Sequence, residues 1–131
     1  MNKFRALNES EWKALMACIA SVDDLNLRED LLRQASFALV RSKEESLFGY
    51  YLNLFCPEEQ KSERIHRDLN NSPPECLAIS SRNNDTLFFL LYVKDYFIDF
   101  MEASSVDEWP ASEKEIIFVP EDLVKLKLST Q

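Results

Sequence analysis

The chain has 131 residues, with 15 Lys and Arg against 23 Asp and Glu, a formal net charge of −8 and a pI near 4.7. This length fits a single domain over residues 1–131, and a hydrophobic content of 46% is enough to form one core. The single glycine, Gly49, excludes the glycine-rich phosphate-binding loops of nucleotide-binding folds. The acidic balance disfavours direct binding to nucleic acid, because phosphates require clustered Lys and Arg.

The first predicted element is a helix that begins at a capping box. Asn8 is the predicted N-cap, Glu11 is its partner three residues on, and Leu7 with Trp12 would form a hydrophobic staple. The predicted apolar stripe behind this start consists of Trp12, Leu15, Met16 and Ile19. The helical pattern ends at residues 23–24.

A second, shorter helix is predicted over residues 27–35. Its spacing places three leucines on the inward side, namely Leu27, Leu31 and Leu32. The charged residues of the same segment are predicted to face outward, and these are Arg28, Glu29, Asp30 and Arg33.

From residue 36 the hydrophobic period changes to two, which predicts strands. A hairpin is predicted from strands 36–42 and 47–56, joined by the polar residues 43–46, with Gly49 marking a bulge or a close backbone approach. The polar residues 58–75 predict a long loop with one helical turn around 62–69. Three strands are then predicted over 76–81, 86–93 and 96–102, with turns at 82–85 and 94–95. Residues 116–128 predict an edge strand or a closing helical turn.

These elements together predict an α+β fold, with two N-terminal helices packed on an antiparallel sheet of about five strands. Apart from the long loop before the third strand, the connections between successive strands are two to four residues long. Such short connections join antiparallel strands, since a parallel pair requires a long crossover.

The cysteines and the N-terminus indicate a cytoplasmic protein. Cys18, Cys56 and Cys76 are odd in number and form no CxxC pair, which favours reduced thiols. The N-terminus has no apolar segment of the kind that secretory signals contain. The longest strongly apolar run, residues 87–93, has seven residues, whereas a membrane-spanning helix needs about 20. We therefore expect no contact with a membrane.

Metal binding and catalysis are weakly indicated. His66 is the only histidine and lies in a polar loop, where a histidine is usually solvated. Nine residues separate it from Cys56 on one side and from Cys76 on the other, whereas zinc ligands come in tighter pairs. A nucleophilic pair of His66 with Cys56 or Cys76 remains open as a less favoured alternative. We expect no catalytic residue, no metal and no cofactor.

The distribution of charge is the strongest functional signal. Residues 99–122 contain eight acidic residues and one basic residue, Lys114, and so contribute −7 of the net charge. A field of that sign favours a basic protein partner, and an aromatic residue within it is a typical binding anchor. The predicted partner-binding residues are Asp99, Glu102, Asp107, Glu108, Trp109, Glu113, Glu115, Glu121 and Asp122. In the alternative interpretation the acids serve only solubility and Trp109 covers the sheet as a core residue.

Three short motifs carry a resemblance to a protein family. The N-terminus has the form F-R-x-L-x-x-x-E, and residues 28–34 have the form R-E-x-L-L-x-Q. Residues 90–95 have the form L-L-Y-V-x-D and lead into a strand that contains Glu102. Over residues 4–40 and 86–120 the chain resembles the small immunity proteins of bacterial polymorphic toxin systems, including those of contact-dependent growth inhibition.

The resemblance implies a non-enzymatic protein that binds and neutralises a cognate toxin made by the same cell. Many such toxins are nucleases whose basic clefts hold phosphate, so an acidic inhibitor can occupy the cleft as a phosphate mimic. An acidic nucleic-acid mimic of the anti-restriction or anti-defence type, a small Cys/His-dependent enzyme and an adaptor domain remain alternatives. The oligomeric state stays open.

Overall fold

The fold is described from a computed structural model, which describes residues 4–118. Two helices precede six strands in this part of the chain: α1 (Glu9–Ala20), α2 (Leu25–Phe37), β1 (Leu39–Ser46), β2 (Gly49–Phe55), β3 (Glu75–Ser80), β4 (Thr86–Lys94), β5 (Phe97–Ser105) and β6 (Ile116–Phe118). The strands form one antiparallel sheet in the order β1-β2-β5-β4-β3-β6. The predicted α+β fold is confirmed, with six described strands where about five were expected.

Helix α1 confirms the predicted capping box, in which the Asn8 side chain accepts from the Glu11 backbone and the Glu11 side chain accepts from the Asn8 backbone. The predicted apolar stripe is wrong at Trp12, which is exposed. The buried positions of the helix are Ser10, Glu11, Ala14, Leu15, Cys18 and Ile19. Small residues and one buried carboxylate therefore replace a large apolar side chain in the stripe.

Helix α2 is longer than predicted at both ends. Asp24, which was expected only to end the first helix, is the N-cap of the second and accepts from the backbone N–H groups of residues 26 and 27. The predicted orientation is wrong for Leu32, which is exposed, and for Asp30, which is buried. Asp30 tolerates burial because Ser62 Oγ donates to it at 2.7 Å and Arg64 pairs with it at 3.1 Å.

The first hairpin is shifted along the chain relative to the prediction. Residues 36–37 belong to α2, β1 continues through the polar residues 43–46, and the turn consists of Leu47 and Phe48. Residues 39–42 of β1 match the predicted strand, but the polar residues 43–46 were not identified as its continuation. They lie at an edge of the sheet, where charged residues are common. Gly49 confirms the predicted close approach. Its φ is +150°, and a Cβ there would collide with the carbonyl oxygen of Ala103.

The later strands match the prediction with small shifts at their ends. Tyr96 lies in the β4–β5 turn and not in the strand, with φ values of 52° at Asp95 and 75° at Tyr96. The helical turn predicted over 62–69 is a 3-10 turn at Arg67–Asn71. Strand β6 confirms an edge strand at Ile116–Phe118, and the remainder of the predicted element, residues 119–128, lies outside the described residues.

The core lies between the helices and one face of the sheet. Helix α1 packs on β3 and β4, and α2 packs on β5. Buried side chains alternate along the strands on this face, as at Leu52 of β2, Phe89 and Leu91 of β4 and Met101 of β5. The intervening residues point to the opposite face, which is here called the open face. No helix within residues 4–118 is long and apolar enough to cross a bilayer.

Candidate functional site

An open cleft of about 370 Å³ lies at one end of the sheet. It is here called the end cleft, and it is formed by the β1–β2 turn, the β3–β4 turn and residues 107–110. Three of the predicted partner-binding residues line it, namely Asp107, Glu108 and Trp109. The end cleft is therefore where the structure brings predicted binding residues together.

Backbone hydrogen bonds attach the segment after β5 to the β1–β2 turn. The N–H of Trp109 donates to the carbonyl of Leu47 at 2.8 Å, and the N–H of Ser105 donates to the carbonyl of Phe48 at 2.9 Å. The Ser105 hydroxyl also donates to the carbonyl of Asp107. These bonds fix the acidic residues of the cleft relative to the hairpin.

Trp109 is partly buried and packs on the core side of the sheet. Its ring meets Tyr50 edge-on at 5.6 Å and Phe89 edge-on at 5.7 Å between ring centroids. This packing matches the interpretation of Trp109 as a residue that covers the sheet. The exposed apolar side chains of the end cleft are Leu47 and Phe48, with exposed fractions of 60% and 50%, and the sequence analysis did not select them.

Like charges face one another at the rim of the end cleft. Partial burial and the adjacent carboxyl of Asp107 raise the pKa of Asp85, which accepts a hydrogen bond from the Asn83 side chain at 2.9 Å. Arg82 also lines the cleft, but within residues 4–118 no ion pair joins it to Asp85, Asp107 or Glu108. The cleft therefore holds negative charge that the described part of the chain leaves unpaired.

The other predicted binding residues lie in different surroundings. Glu113 accepts from the Asn8 side chain at 2.9 Å and lies 3.9 Å from the Lys43 ammonium. Glu115 is partly buried, and its Oε2 has no hydrogen-bond partner among the described residues.

Glu102 belongs to the open face, and Asp99 lies at the β5 bulge toward the other end of the strand. Glu121 and Asp122 lie outside the described residues. The acidic segment is thus not a single continuous patch over its described length.

Glu11 was predicted as a cap and not as the centre of a buried charge cluster. Its carboxylate is fully buried, accepts two hydrogen bonds from Arg5 at 2.8 and 2.9 Å, and pairs with Lys43 at 3.1 Å. Burial by itself would raise its pKa, but the bonds from Arg5, the Asn8 backbone and Lys43 lower it to about 2. The cluster connects the N-terminal residues, α1 and β1, and it reaches Glu113 through Lys43.

Cys18 and Cys76 are in contact with each other, whereas Cys56 and His66 have other partners. Cys18 and Cys76 are 3.7 Å apart between sulfurs, whereas Cys56 contacts the carbonyl of Gln34. Burial raises the pKa of Cys56 to about 11, so it is a thiol at neutral pH. His66 caps a 3-10 turn by accepting from the Asp68 backbone. Within residues 4–118 no bond joins His66 to a cysteine, and no group of His, Cys, Asp and Glu is arranged to hold a metal ion.

No family model, curated protein or solved structure matches this chain. Function is therefore inferred from the charge of the chain and from the side chains of the end cleft and the open face.

Proposed function

We propose that this protein is a cytoplasmic, non-enzymatic immunity protein that binds and neutralises a basic toxin domain of the nuclease type through its acidic surface. The end cleft is the observation that supports this proposal best. There, Asp107 and Glu108 make no ion pair within residues 4–118 and lie beside the exposed side chains of Leu47 and Phe48. Charge and apolar surface at one place are the two components that a tight protein interface combines.

The electrostatics of the cleft favour a cationic partner group. Partial burial and the adjacent carboxyl of Asp107 disfavour the ionised form of Asp85, and a Lys or Arg side chain from a partner would offset this effect. Close interfacial charge pairs contribute about 1.5 kcal/mol or more each. Leu47 and Phe48 would supply the apolar contact around these pairs.

A nuclease domain fits this surface because its substrate is a polyanion. The catalytic cleft of such an enzyme is lined with cationic side chains that hold phosphates. A protein with a net charge of −8 is attracted to that cleft over a long range, and the attraction weakens with salt. Occupation of the cleft would exclude the nucleic acid.

The functional test is co-expression with the toxin domain encoded beside the gene. Sequencing the flanking DNA identifies the candidate, and we expect that cells making the toxin domain grow only when this protein is also present. A flank of phage or plasmid genes would favour the nucleic-acid mimic instead. Metabolic neighbours and an enzymatic activity that is lost in a His66→Ala variant would contradict the proposal.

Charge reversal in the end cleft should weaken partner binding without unfolding the protein. We expect the double variant Asp107→Lys, Glu108→Lys to bind the toxin domain about 100-fold more weakly, since two interfacial charge pairs become repulsive. Both side chains are exposed, so the melting temperature should stay close to the wild-type value. Isothermal titration calorimetry measures the affinity, and circular dichroism measures the melting temperature.

The matched control is the double variant Glu29→Lys, Glu63→Lys. It changes the net charge by the same amount at two exposed positions outside the end cleft. We expect its affinity for the toxin domain to fall by less than about tenfold, against about 100-fold for the cleft variant. Equal losses in the two variants would show that only net charge matters, and unchanged affinity in the cleft variant would exclude the cleft from the interface.

A further inference from the structure

The open face of the sheet carries several aromatic side chains, and α1 and α2 pack on the opposite face. Tyr51 and Phe88 expose 47% and 40% of their surface there. Phe100 stacks on Tyr92 with ring centroids 4.6 Å apart and lies 6.1 Å from the ring of Tyr51. The rings of Tyr51, Phe100 and Tyr92 form a continuous aromatic strip across β2, β5 and β4.

A row of carboxylates crosses this aromatic surface. The row follows from the strand register. Tyr51 of β2 lies between Glu44 of β1 and Glu102 of β5. Leu90 of β4 lies between Glu102 and Glu75 of β3. The three carboxylates therefore lie on alternate strands of one row and belong to β1, β5 and β3. Neighbouring strands are about 4.8 Å apart, which places the Cα atoms of the three glutamates about 10 Å from one another along the row.

These carboxylates have no cationic partner among the described residues. Glu44 accepts a hydrogen bond from the Asn53 side chain at 3.0 Å, and no ion pair within residues 4–118 includes Glu44, Glu75 or Glu102. An apolar surface that carries regularly spaced unpaired carboxylates is complementary to an apolar surface that carries cations. It is not complementary to itself, because two copies would bring six carboxylates together.

We propose that the open face binds an amphipathic α-helix of the toxin domain, with Lys or Arg residues seven positions apart and apolar residues between them. Seven residues of an α-helix span about 10.5 Å, which matches the spacing of the three glutamates across alternate strands of the row. The helix would lie across the strands with its basic residues over Glu44, Glu102 and Glu75. Its apolar residues would contact Tyr51 and Leu90. This inference rests on the proposed function and adds the surface and the kind of segment that it recognises.

The test measures the affinity of the full-length protein for two synthetic helical peptides of about 18 residues. Both contain the same alanines, leucines and three lysines, with the lysines seven residues apart in the first peptide and five apart in the second. Spacing by five distributes the lysines around the helix and removes the match to the row. We expect the first peptide to bind at least tenfold more tightly at low salt, and the preference to decrease as salt is added.

Two triple variants locate the binding. The first variant removes the three carboxylates of the row by the substitutions Glu44→Gln, Glu75→Gln and Glu102→Gln. We expect this variant to bind the first peptide at least tenfold more weakly than wild type. The second variant makes the same change in net charge at exposed positions outside the row, by the substitutions Glu29→Gln, Glu59→Gln and Glu63→Gln. Its affinity for the first peptide should stay within about twofold of the wild-type value. Circular dichroism checks that both variants remain folded.

Several outcomes would overturn the inference. These are equal affinity for the two peptides, no binding of either, an equal loss in both triple variants, or a wild-type dimer in sedimentation that Tyr51→Ala dissociates.

The toxin co-expression assay separates this inference from the proposed function. Protection that survives in the open-face triple variant but fails in the end-cleft variant would retain the function and reject the open face as the toxin's site. Spacing-dependent peptide binding without protection by the wild type would retain the open face as a helix-binding surface and reject the immunity function.

Discussion

Replacing Gln34 with alanine is expected to lower the free energy of unfolding by about 4 kcal/mol. The side chain is fully buried, and each of its polar atoms is used. Its Nε2 donates to the carbonyls of Gln60 at 2.8 Å and Tyr96 at 2.9 Å, and its Oε1 accepts from the N–H of Ile98 at 2.9 Å. The alanine variant would leave three main-chain groups without these bonds and would open a cavity in the core.

Urea unfolding at neutral pH measures this effect, and Gln60→Ala is its control. Gln60 contributes its backbone carbonyl to the bond with Gln34, so truncation of its side chain leaves that bond intact. We expect the control to change stability by less than about 1 kcal/mol. A loss below about 1 kcal/mol in Gln34→Ala would contradict the role of Gln34 as the connection between α2, the 58–60 turn and the β4–β5 turn.

Replacing Glu11 with glutamine is expected to cost about 3 kcal/mol at pH 7. The variant keeps the size of the side chain but removes the charge that faces Arg5 and Lys43. Loss of one partner from a buried ion pair is strongly destabilising because the remaining charges stay partly desolvated. Glu9→Gln is the control, since Glu9 is exposed and its pair with Lys13 is a surface pair between adjacent helical turns.

The contribution of Glu11 should depend on pH. Its pKa is about 2 in the folded protein and 4.5 as the ordinary value, so the folded state favours the ionised form. The stabilisation is therefore complete above about pH 4.5 and is lost as the pH falls toward 2. The difference in unfolding free energy between wild type and Glu11→Gln should shrink over this range by about 3 kcal/mol. A difference that stays constant down to pH 2.5 would contradict the assigned pKa.

The parts of the fold that local chemistry determines could be predicted from the sequence. The capping box of Asn8 and Glu11 and the close approach at Gly49 are properties of neighbouring residues or of a single residue type. The short connections between the later strands likewise required antiparallel pairing. Each of these predictions is confirmed because few alternative structures satisfy the same local constraints.

The errors occurred where long-range partners override the local pattern. Strand β1 is polar because it lies at the sheet edge, and nothing in its own sequence marks that position. Asp30 and Glu11 are buried because residues far along the chain, Ser62 and Lys43, bring hydrogen bonds and charge to them. Trp12 is exposed because the buried stripe of α1 is centred on Glu11, Leu15 and Cys18, and Trp12 lies beside it on the helix.

The candidate site, like the fold, could be predicted from the sequence only in part. The concentration of acid in residues 99–122 is visible in the sequence, but its distribution over the end cleft, the open face and the Glu11 cluster depends on how β5 and the segment after it cross the sheet. The open face was missed because Glu44, Glu75 and Glu102 are far apart in sequence. They form one row only through the strand register.

The central claim is that this protein binds a basic toxin domain through its acidic surface. Isothermal titration of the wild-type protein with the toxin domain encoded beside its gene, at about 50 and about 300 mM salt, tests that claim most directly. We predict tight binding at low salt that weakens markedly at high salt, accompanied by loss of the toxin's activity. Absence of binding at both salt concentrations, or an affinity that does not change with salt, would contradict it.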